Sequence, residues 1–259
     1  MERGILTQEY RHEPVMLGEV LESLRLKSGS VVCDCTLGGA GHSVKMAAQV
    51  GETGLLLGVD QDDMALEAAG ARLDREVPGV PHQLLKGNFG DLDELLCSAE
   101  VPGRWLPVRL GVSSPQLDIP GRGFSYNEDA PLDMRMDPGN NTLNAAEVIN
   151  TYNEHDLARI LRVYGEEKFA SQIAREIVRR REQEPIETTG QFVEIIKAGI
   201  PAAARRHGGH PAKKSFQAIR IEVNHELDVL ERGLDAATRC STRADVSASF
   251  RITRSRTVS

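Results

Sequence analysis

Residues 30–60 read SVVCDCTLGGAGHSVKMAAQVGETGLLLGVD, and this stretch decides the fold. Residues 30–34 form a short apolar run that is typical of a buried strand, and residues 54–60 form a second run that ends in an acid. Between them lie a glycine-rich loop and a helix over about 42–50. Strands that are apolar on both faces and are separated by a helix predict a parallel sheet covered by helices on both sides.

The same alternation extends to both sides of this unit. Apolar spacing predicts helices over residues 14–26, 63–73 and 91–97 and a third strand over residues 82–86. The second half of the sequence instead predicts helices rich in charged residues, over residues 144–181, 188–204 and 215–233. We therefore expect a doubly wound α/β domain made of residues 1–117 and 214–259, with residues 118–213 inserted as a helical domain.

The composition is that of a soluble globular protein. The 259 residues carry a net charge of −7, with 40% hydrophobic and 27% charged residues. This negative net charge argues against a protein that coats nucleic acid without sequence preference, but it is compatible with a local basic surface. None of the four cysteines forms a CxxC pair and no histidine cluster has zinc spacing, so we expect no metal site.

The sequence lacks the patterns of export and membrane insertion. The stretch MERGILTQEYRHEP at the start has charges but no apolar core of the kind that a signal peptide needs. No apolar run approaches the roughly 18 residues of a membrane span. We therefore expect a cytoplasmic protein without a membrane partner, and the sequence does not indicate its oligomeric state.

A candidate cofactor site combines the glycine loop with the acid that ends the second strand. Gly38-Gly39-Ala40-Gly41 would let a ligand approach the backbone at the start of a helix, where N–H groups are free. Asp60 follows about twenty residues later, where a carboxylate can accept both ribose hydroxyls of a nucleotide-like cofactor. The alternative is a tight strand–helix turn, with Asp60 serving only as a helix cap.

The glycine pattern bears on which cofactor is bound. Dinucleotide enzymes use G-x-G-x-x-G to seat a pyrophosphate, and here Lys45 and Met46 follow where a third glycine is needed. The order Asp34, glycine loop, Asp60 resembles the first two motifs of class I S-adenosylmethionine (SAM) methyltransferases. Phe89, after the third strand, would lie near the adenine or would simply pack in the core.

A second informative stretch, residues 111–137, reads GVSSPQLDIPGRGFSYNEDAPLDMRMD. It has neither a helical nor a strand period, and its apolar residues are too many for a disordered linker, so we interpret it as a functional loop. It resembles the central signature of the RsmH (MraW) family. Further segments resemble that family in its order: His12-Glu13-Pro14-Val15-Met16, residues 36–42, Gly87-Asn88-Phe89, Tyr164-Gly165-Glu166-Glu167 and residues 210–224.

This resemblance implies a SAM-dependent enzyme that methylates the N4 amine of a cytidine in bacterial small-subunit (16S) rRNA. It also implies a class I, Rossmann-like methyltransferase sheet with a helical recognition domain inserted after the fourth strand. The family's cofactor contacts fall on Ala40, Gly41, His42, Asp60, Phe89 and Gln116. The catalytic residue is left unassigned, since Ser114 in Ser113-Ser114-Pro115-Gln116 either faces the amine or merely forms a turn.

The expected partner is therefore the rRNA of the small ribosomal subunit. Basic side chains would contact its phosphates. The candidates are Arg205, Arg206, Lys213, Lys214, Arg220 and the run Arg179-Arg180-Arg181, although we interpret that run as a solvated helix face. The better RNA candidate is the turn over residues 205–214, which also carries two glycines and two histidines.

Two segments depart from the family pattern. Arg109 stands where the family has an aspartate at the end of the fourth strand, and after residue 234 the chain becomes rich in Arg, Ser and Thr instead of continuing into closing strands. A second cation at residue 109, at an assumed ~6 Å and an effective dielectric of ~20, would repel the sulfonium of SAM by roughly 3 kcal/mol. The alternative hypothesis is therefore an inactive SAM- or RNA-binding remnant with a sheet that is incomplete at its C-terminal end.

Overall fold

The computed structural model describes residues 16–99, 108–109, 121–206 and 209–242. Its first half alternates helices and strands. In chain order these are α1 (Leu17–Leu24), β1 (Val31–Asp34), α2 (Gly41–Val50), β2 (Leu55–Asp60), α3 (Asp63–Glu76), β3 (His82–Lys86), a short 3-10 helix (Phe89–Asp91), α4 (Leu92–Ser98) and β4 (Val108–Arg109).

The strands form a parallel sheet in the order β3-β2-β1-β4. In the register of β1, Asp34 lies opposite Gly58 of β2 on one side and opposite Arg109 of β4 on the other. All carboxyl ends therefore meet at one edge, which is where open α/β sheets bind ligands.

Helices cover both faces of this sheet. Val32 and Leu56 pack with α1, α2 and α3 on one face, whereas Cys33, Leu57 and Val59 pack with α4 and the last helix on the other. Successive side chains of a strand point to opposite faces, so apolar runs such as that of β1 require cover on both sides. The predicted doubly wound α/β class is confirmed.

The second half of the chain is helical. Its helices are α5 (Ala145–Thr151), α6 (Glu154–Val163), α7 (Ala170–Arg181), α8 (Thr189–Gly199), α9 (Lys213–Val223) and α10 (Glu226–Thr242), with a short 3-10 helix at Ala204–Arg206. Helices α5 to α9 share one hydrophobic core with Phe124, Leu132, Met134 and Met136 of the preceding loop. We call this body, residues 121–223, the helical unit. It includes α9, and so it runs past the predicted boundary at residue 213.

Two predicted helices are divided in the structure. The stretch 144–181 contains three helices. Asn153 separates α5 from α6 and caps α6 by accepting a hydrogen bond from the Asp156 N–H, and the chain leaves helical geometry again between α6 and α7, where Glu166 has a positive φ of 50°. The predicted helix 215–233 is split at His225, which adopts a left-handed conformation with φ of 49°. Helix α10 then continues to Thr242 because Ala236 and Ala237 are buried against the sheet. The predicted loss of closing strands concerns residues beyond 242, outside the described residues.

Candidate cofactor site

The glycine loop joins β1 to α2 at the carboxyl edge of the sheet. It is pinned to β2 by a hydrogen bond from the Leu37 N–H to the Val59 carbonyl (3.1 Å). Gly38 and Ala40 both have positive φ, 49° and 58°, so the chain turns sharply before α2 begins. Helix α2 therefore begins at the carboxyl edge of the sheet, and the N-terminus of a helix favours negatively charged ligand groups.

Asp60 faces this loop from the end of β2. One carboxylate oxygen accepts the Gly38 N–H (2.9 Å) and the other accepts the Asp62 N–H (3.1 Å). The side chain is buried, and burial raises the pKa of the Asp60 carboxyl even though these two hydrogen bonds act in the opposite direction. Each oxygen has a second lone pair, so the carboxylate can still accept hydroxyl groups of a ligand.

A second buried acid, Asp34, lies at the end of the neighbouring strand. It accepts hydrogen bonds from Ser43 Oγ (2.6 Å) in the first turn of α2 and from Arg109 Nη1 (2.8 Å) at the end of β4. The guanidinium of Arg109 is 14% exposed and the Asp34 side chain is fully buried. The positive charge of Arg109 is therefore compensated by the carboxylate of Asp34, which the predicted repulsion of the SAM sulfonium did not take into account.

The structure brings together four of the six predicted cofactor residues. Ala40 and Gly41 form the start of α2, His42 is buried in its first turn, and Asp60 is bonded to the same loop. Gln116, with the whole segment Ser113-Ser114-Pro115-Gln116, lies outside the described residues.

Phe89 follows β3 in the short 3-10 helix. Its ring packs so closely on α10 that a Cβ added to Gly233 would lie 2.5 Å from Phe89 Cδ2. This contact favours the core-packing interpretation of Phe89 over a contact with the adenine.

Sequence reasoning missed the link between this site and the helical unit. Arg122, in the functional loop, forms an ion pair with Asp62 and donates to the carbonyls of Arg135 (2.9 Å) and Met136 (3.1 Å). Gln61 donates from Nε2 to the sulfur of Met136 (3.1 Å). Residues 61 and 62, which directly follow Asp60, are thus held by the helical unit. The only sequence signal was the arginine within the Arg122-Gly123-Phe124 motif.

The helical unit then continues this link toward α9. Asn224 accepts the Met136 N–H (2.8 Å) and donates to the Met134 carbonyl (2.8 Å). At the other end of α9, the ring of His210 stacks on Tyr126 with centroids 4.4 Å apart, and His210 Nδ1 accepts the Ala212 N–H (3.2 Å). Burial, and secondarily Lys197, lower the pKa of His210, so the stack holds a neutral imidazole.

The predicted RNA-contacting residues divide into two groups. Lys214 and Arg205 are exposed and Lys213 is partly exposed, and Lys214 Nζ donates to the Glu166 carbonyl (3.0 Å). Arg220, in contrast, is bound by Glu226 through two contacts of 2.7 and 3.0 Å, so its prediction as an RNA contact is corrected. Arg179 and Arg180 pair with Glu176 and Arg181 donates to the Ile149 carbonyl, as expected for a helix face.

Two further findings limit the chemistry of the described part of the chain. Within it, no group of three or more His, Cys, Asp or Glu side chains is placed to hold a metal ion. None of its helices is both long and apolar enough to cross a membrane.

The comparisons with known proteins agree with this geometry. Residues 9–246 match the family described as the MraW methylase family. The chain is 51% identical to "Ribosomal RNA small subunit methyltransferase H" of Paenibacillus sp. over 89% of its own length and 74% of the relative's. It is 50% identical to the protein of the same name from Symbiobacterium thermophilum, over 89% of its own length and 72% of the relative's. The corresponding Brevibacillus brevis protein is 48% identical, over 88% and 72% respectively.

Proposed function

Because the chain belongs to the MraW methylase family, we propose that it transfers the methyl group of SAM to the N4 amine of a cytidine in 16S rRNA. The observation that carries the proposal is the match of this family over residues 9–246, which include the glycine loop, Asp60 and the functional loop. The relatives named for methylation of small-subunit rRNA support the choice of substrate.

The residues at the carboxyl edge of the sheet fit SAM. The buried carboxylate of Asp60 offers two acceptors for the ribose hydroxyls, and the positive end of the α2 helix dipole suits the cofactor's carboxylate. The positive φ of Gly38 and Ala40 keeps the loop backbone close to this space. SAM, when bound, supplies a methyl group activated by its sulfonium.

The chain's own task is mainly to position the nucleophile. A cytosine amine is a poor nucleophile because its lone pair is conjugated with the ring, so the rate depends on alignment and on acceptors for its protons. We assign that task to the segment Ser113-Ser114-Pro115-Gln116 and leave the individual role of Ser114 open, since a turn explains the same residues.

The helical unit is proposed to recognise folded rRNA. It carries exposed basic side chains at Arg205 and Lys214, on either side in sequence of His210, whose ring stacks on Tyr126. Arg122 connects this unit to Asp62, two residues beyond Asp60, so RNA held by the helical unit lies on the same body as the cofactor edge. Division of the chain into a sheet domain and this helical unit is part of the proposal.

An inactive remnant is not favoured. That hypothesis depended on the cation at residue 109 and on the composition of the tail. Arg109 is paired with a fully buried carboxylate, and its guanidinium charge is therefore compensated. Family identity of about half over most of the chain supports a working enzyme.

The test is methyl transfer from radiolabelled SAM to small ribosomal subunits isolated from a strain that lacks this modification. We expect label in 16S rRNA, located on a cytidine N4 by nuclease digestion and mass spectrometry, and none with Asp60→Ala. Free cytidine serves as the control substrate and should remain unlabelled, because the helical unit recognises folded RNA. Label on protein, or on free cytidine at an equal rate, would contradict the proposal.

A further inference from the structure

An arginine at the end of β4 is an unusual neighbour for a cofactor site whose ligand is a cation. Arg109 lies in register with Asp34 of β1, so the two side chains leave adjacent parallel strands at the same level. The main chain reinforces this placement, because the Cys35 N–H donates to the Arg109 carbonyl (2.9 Å). Backbone and side chain of Arg109 are thus both directed at the segment that leads into the glycine loop.

The side chain of Arg109 binds that segment at three points. Its Nη1 donates to Asp34 Oδ1 (2.8 Å), to the Thr36 carbonyl (3.0 Å) and to Thr36 Oγ1 (2.9 Å). Thr36 immediately precedes Leu37 and the glycines. A loop whose first carbonyl is held by a charged donor loses conformational freedom before any ligand binds, which lowers the entropic cost of binding.

The carboxylate of Asp34 extends this restraint to the other end of the loop. It accepts the Thr36 N–H (3.2 Å) and also the hydroxyl of Ser43 (2.6 Å) in the first turn of α2. One buried acid therefore ties both ends of the glycine loop. A fully buried carboxylate is costly without a partner charge, and Arg109 supplies that charge.

We propose that Arg109 is a positioning residue for the cofactor site: it holds the glycine loop through Thr36 and compensates the charge of Asp34. The inference rests on the proposed function, since it concerns the same SAM site. Its consequence is that Arg109 strengthens the binding of SAM and of S-adenosylhomocysteine (SAH) to the same extent. The charge of Arg109 is directed at Asp34 and does not select between the two ligands.

The opposite effect is expected if the guanidinium acts on the ligand directly. SAM carries a sulfonium cation and SAH a neutral thioether, while the rest of the two molecules is shared. Repulsion by Arg109 would weaken SAM alone, and removing the arginine would then tighten SAM relative to SAH. The ratio of the two dissociation constants separates positioning from repulsion.

The experiment measures SAM and SAH binding by titration calorimetry for the full chain and three variants. For Arg109→Met we expect both ligands to bind about tenfold more weakly or worse, the scale of a lost charged hydrogen bond. Thr36→Val, which leaves the ion pair in place, should weaken both severalfold. Arg109→Lys, which keeps a charged donor, should restore part of the loss. In all three, the SAM to SAH ratio should change by less than about threefold.

Kinetics and a stability control exclude a general structural effect. Arg109→Met should raise the KM for SAM while leaving the KM for the ribosomal subunit and the kcat at saturating SAM unchanged. Arg75→Met is the matched control, because Arg75 is exposed and contacts Glu76 rather than the loop. If Arg109→Met fails to fold, Thr36→Val decides alone.

Three results would overturn the inference. SAM binding that tightens tenfold relative to SAH in Arg109→Met would show that the guanidinium acts on the sulfonium. Unchanged binding of both ligands in Arg109→Met and Thr36→Val would remove the loop restraint while leaving the proposed function intact. A wild-type chain that binds neither ligand would overturn the inference together with the proposed function.

Discussion

Asp60 is subject to two opposing influences at the end of β2. The N–H groups of Gly38 and Asp62 stabilise its charged form, whereas burial in the sheet edge destabilises it, and burial is the larger effect. The net result is a raised pKa. A group whose pKa is higher in the folded than in the unfolded protein adds most to the free energy of unfolding at pH values below its pKa in the unfolded chain. This contribution is lost as the pH rises through its pKa in the folded protein.

The raised pKa of Asp60 predicts a pH dependence of cofactor binding. Only the carboxylate can accept both ribose hydroxyls, so SAH affinity should fall as the pH drops through the folded pKa. That loss should occur at higher pH than for an ordinary aspartate, which titrates near ~3.9. Titration calorimetry between neutral and mildly acidic pH measures it. Asp60→Asn should bind weakly with a flatter profile, and an identical slope in wild type and variant would contradict the assignment.

At the scale of residues, spacing alone located Asp60 at the end of a strand and the glycines before a helix. The partners of Arg109 could not be found this way, because Arg109 and Asp34 meet only when β4 pairs with β1. Arg122 and Asp62 are likewise joined only by the fold. Ala40 adds a subtler case: it takes a left-handed φ of 58° in a motif where a glycine would be expected to do so.

At the scale of elements, the docking of α10 depends on a glycine. Gly233 faces the ring of Phe89, and an added Cβ would lie 2.5 Å from it, whereas a Cβ at Gly18 of α1 would meet nothing within 4 Å. Gly233→Ala should therefore destabilise the protein by roughly 1–3 kcal/mol through overpacking. Gly18→Ala should stabilise it by up to about 0.5–1 kcal/mol through helix propensity.

Urea denaturation of both variants measures the change in the free energy of unfolding, which should have opposite signs for the same Gly→Ala substitution at the two positions. Since Gly18 and Gly233 both lie in helices, the propensity gain is common to the two, and only the contact with Phe89 differs. Equal stabilisation by both substitutions would show that α10 does not pack on the 3-10 helix as described.

The lysines at the end of the predicted 205–214 turn, which form the first turn of α9, make a second element-level prediction. Lys213→Ala with Lys214→Ala should weaken binding to small-subunit rRNA and reduce the salt slope of the binding constant by roughly one per lysine. Filter binding over a range of salt concentrations measures the slope. The control is Arg179→Ala with Arg180→Ala, since both arginines are engaged by Glu176 and should leave the slope unchanged. A slope that both double variants reduce equally would mean that the turn has no special role.

The first three strands were predicted to within a residue, but the helix boundaries were less predictable. The spacing of apolar residues continues across Asn153 and His225, so it does not reveal that one helix ends and a new helix, α6 or α10, begins there. The side-chain cap of Asn153 was a readable signal, as was the Thr188 and Gln191 capping box that begins α8. The left-handed turn at His225 offered no such signal, because the residue there is not the glycine or asparagine that usually takes this conformation.

For the molecule as a whole, the ion pair between Arg122 and Asp62 joins the helical unit to the sheet domain. Both side chains are largely buried, with 16% and 6% exposed. Removing one partner of a buried pair leaves an uncompensated charge, so Arg122→Met should cost about 3 kcal/mol. We also expect its melting transition to separate into two, because the link between the two cores is weakened.

Scanning calorimetry tests this, with Arg135→Met as the matched control. Arg135 lies in the same loop but pairs with Asp133 inside the helical unit, at 22% and 31% exposure. Its loss should lower stability by about 1 kcal/mol or less without separating the transitions. A single sharp transition in Arg122→Met would indicate that the two cores are held together by other contacts.

The position of α10 also has a consequence for how the protein is made. Ala236 and Ala237 help to cover the sheet face that carries Cys33 and Leu57, yet roughly 140 residues separate β3 from this helix. At about 5–20 residues per second, a ribosome needs on the order of 10 s to synthesise that interval. The first three strands therefore leave the ribosome long before the last helix does. During that interval the nascent chain carries an apolar sheet face without its α10 cover, which is the kind of surface that chaperones bind.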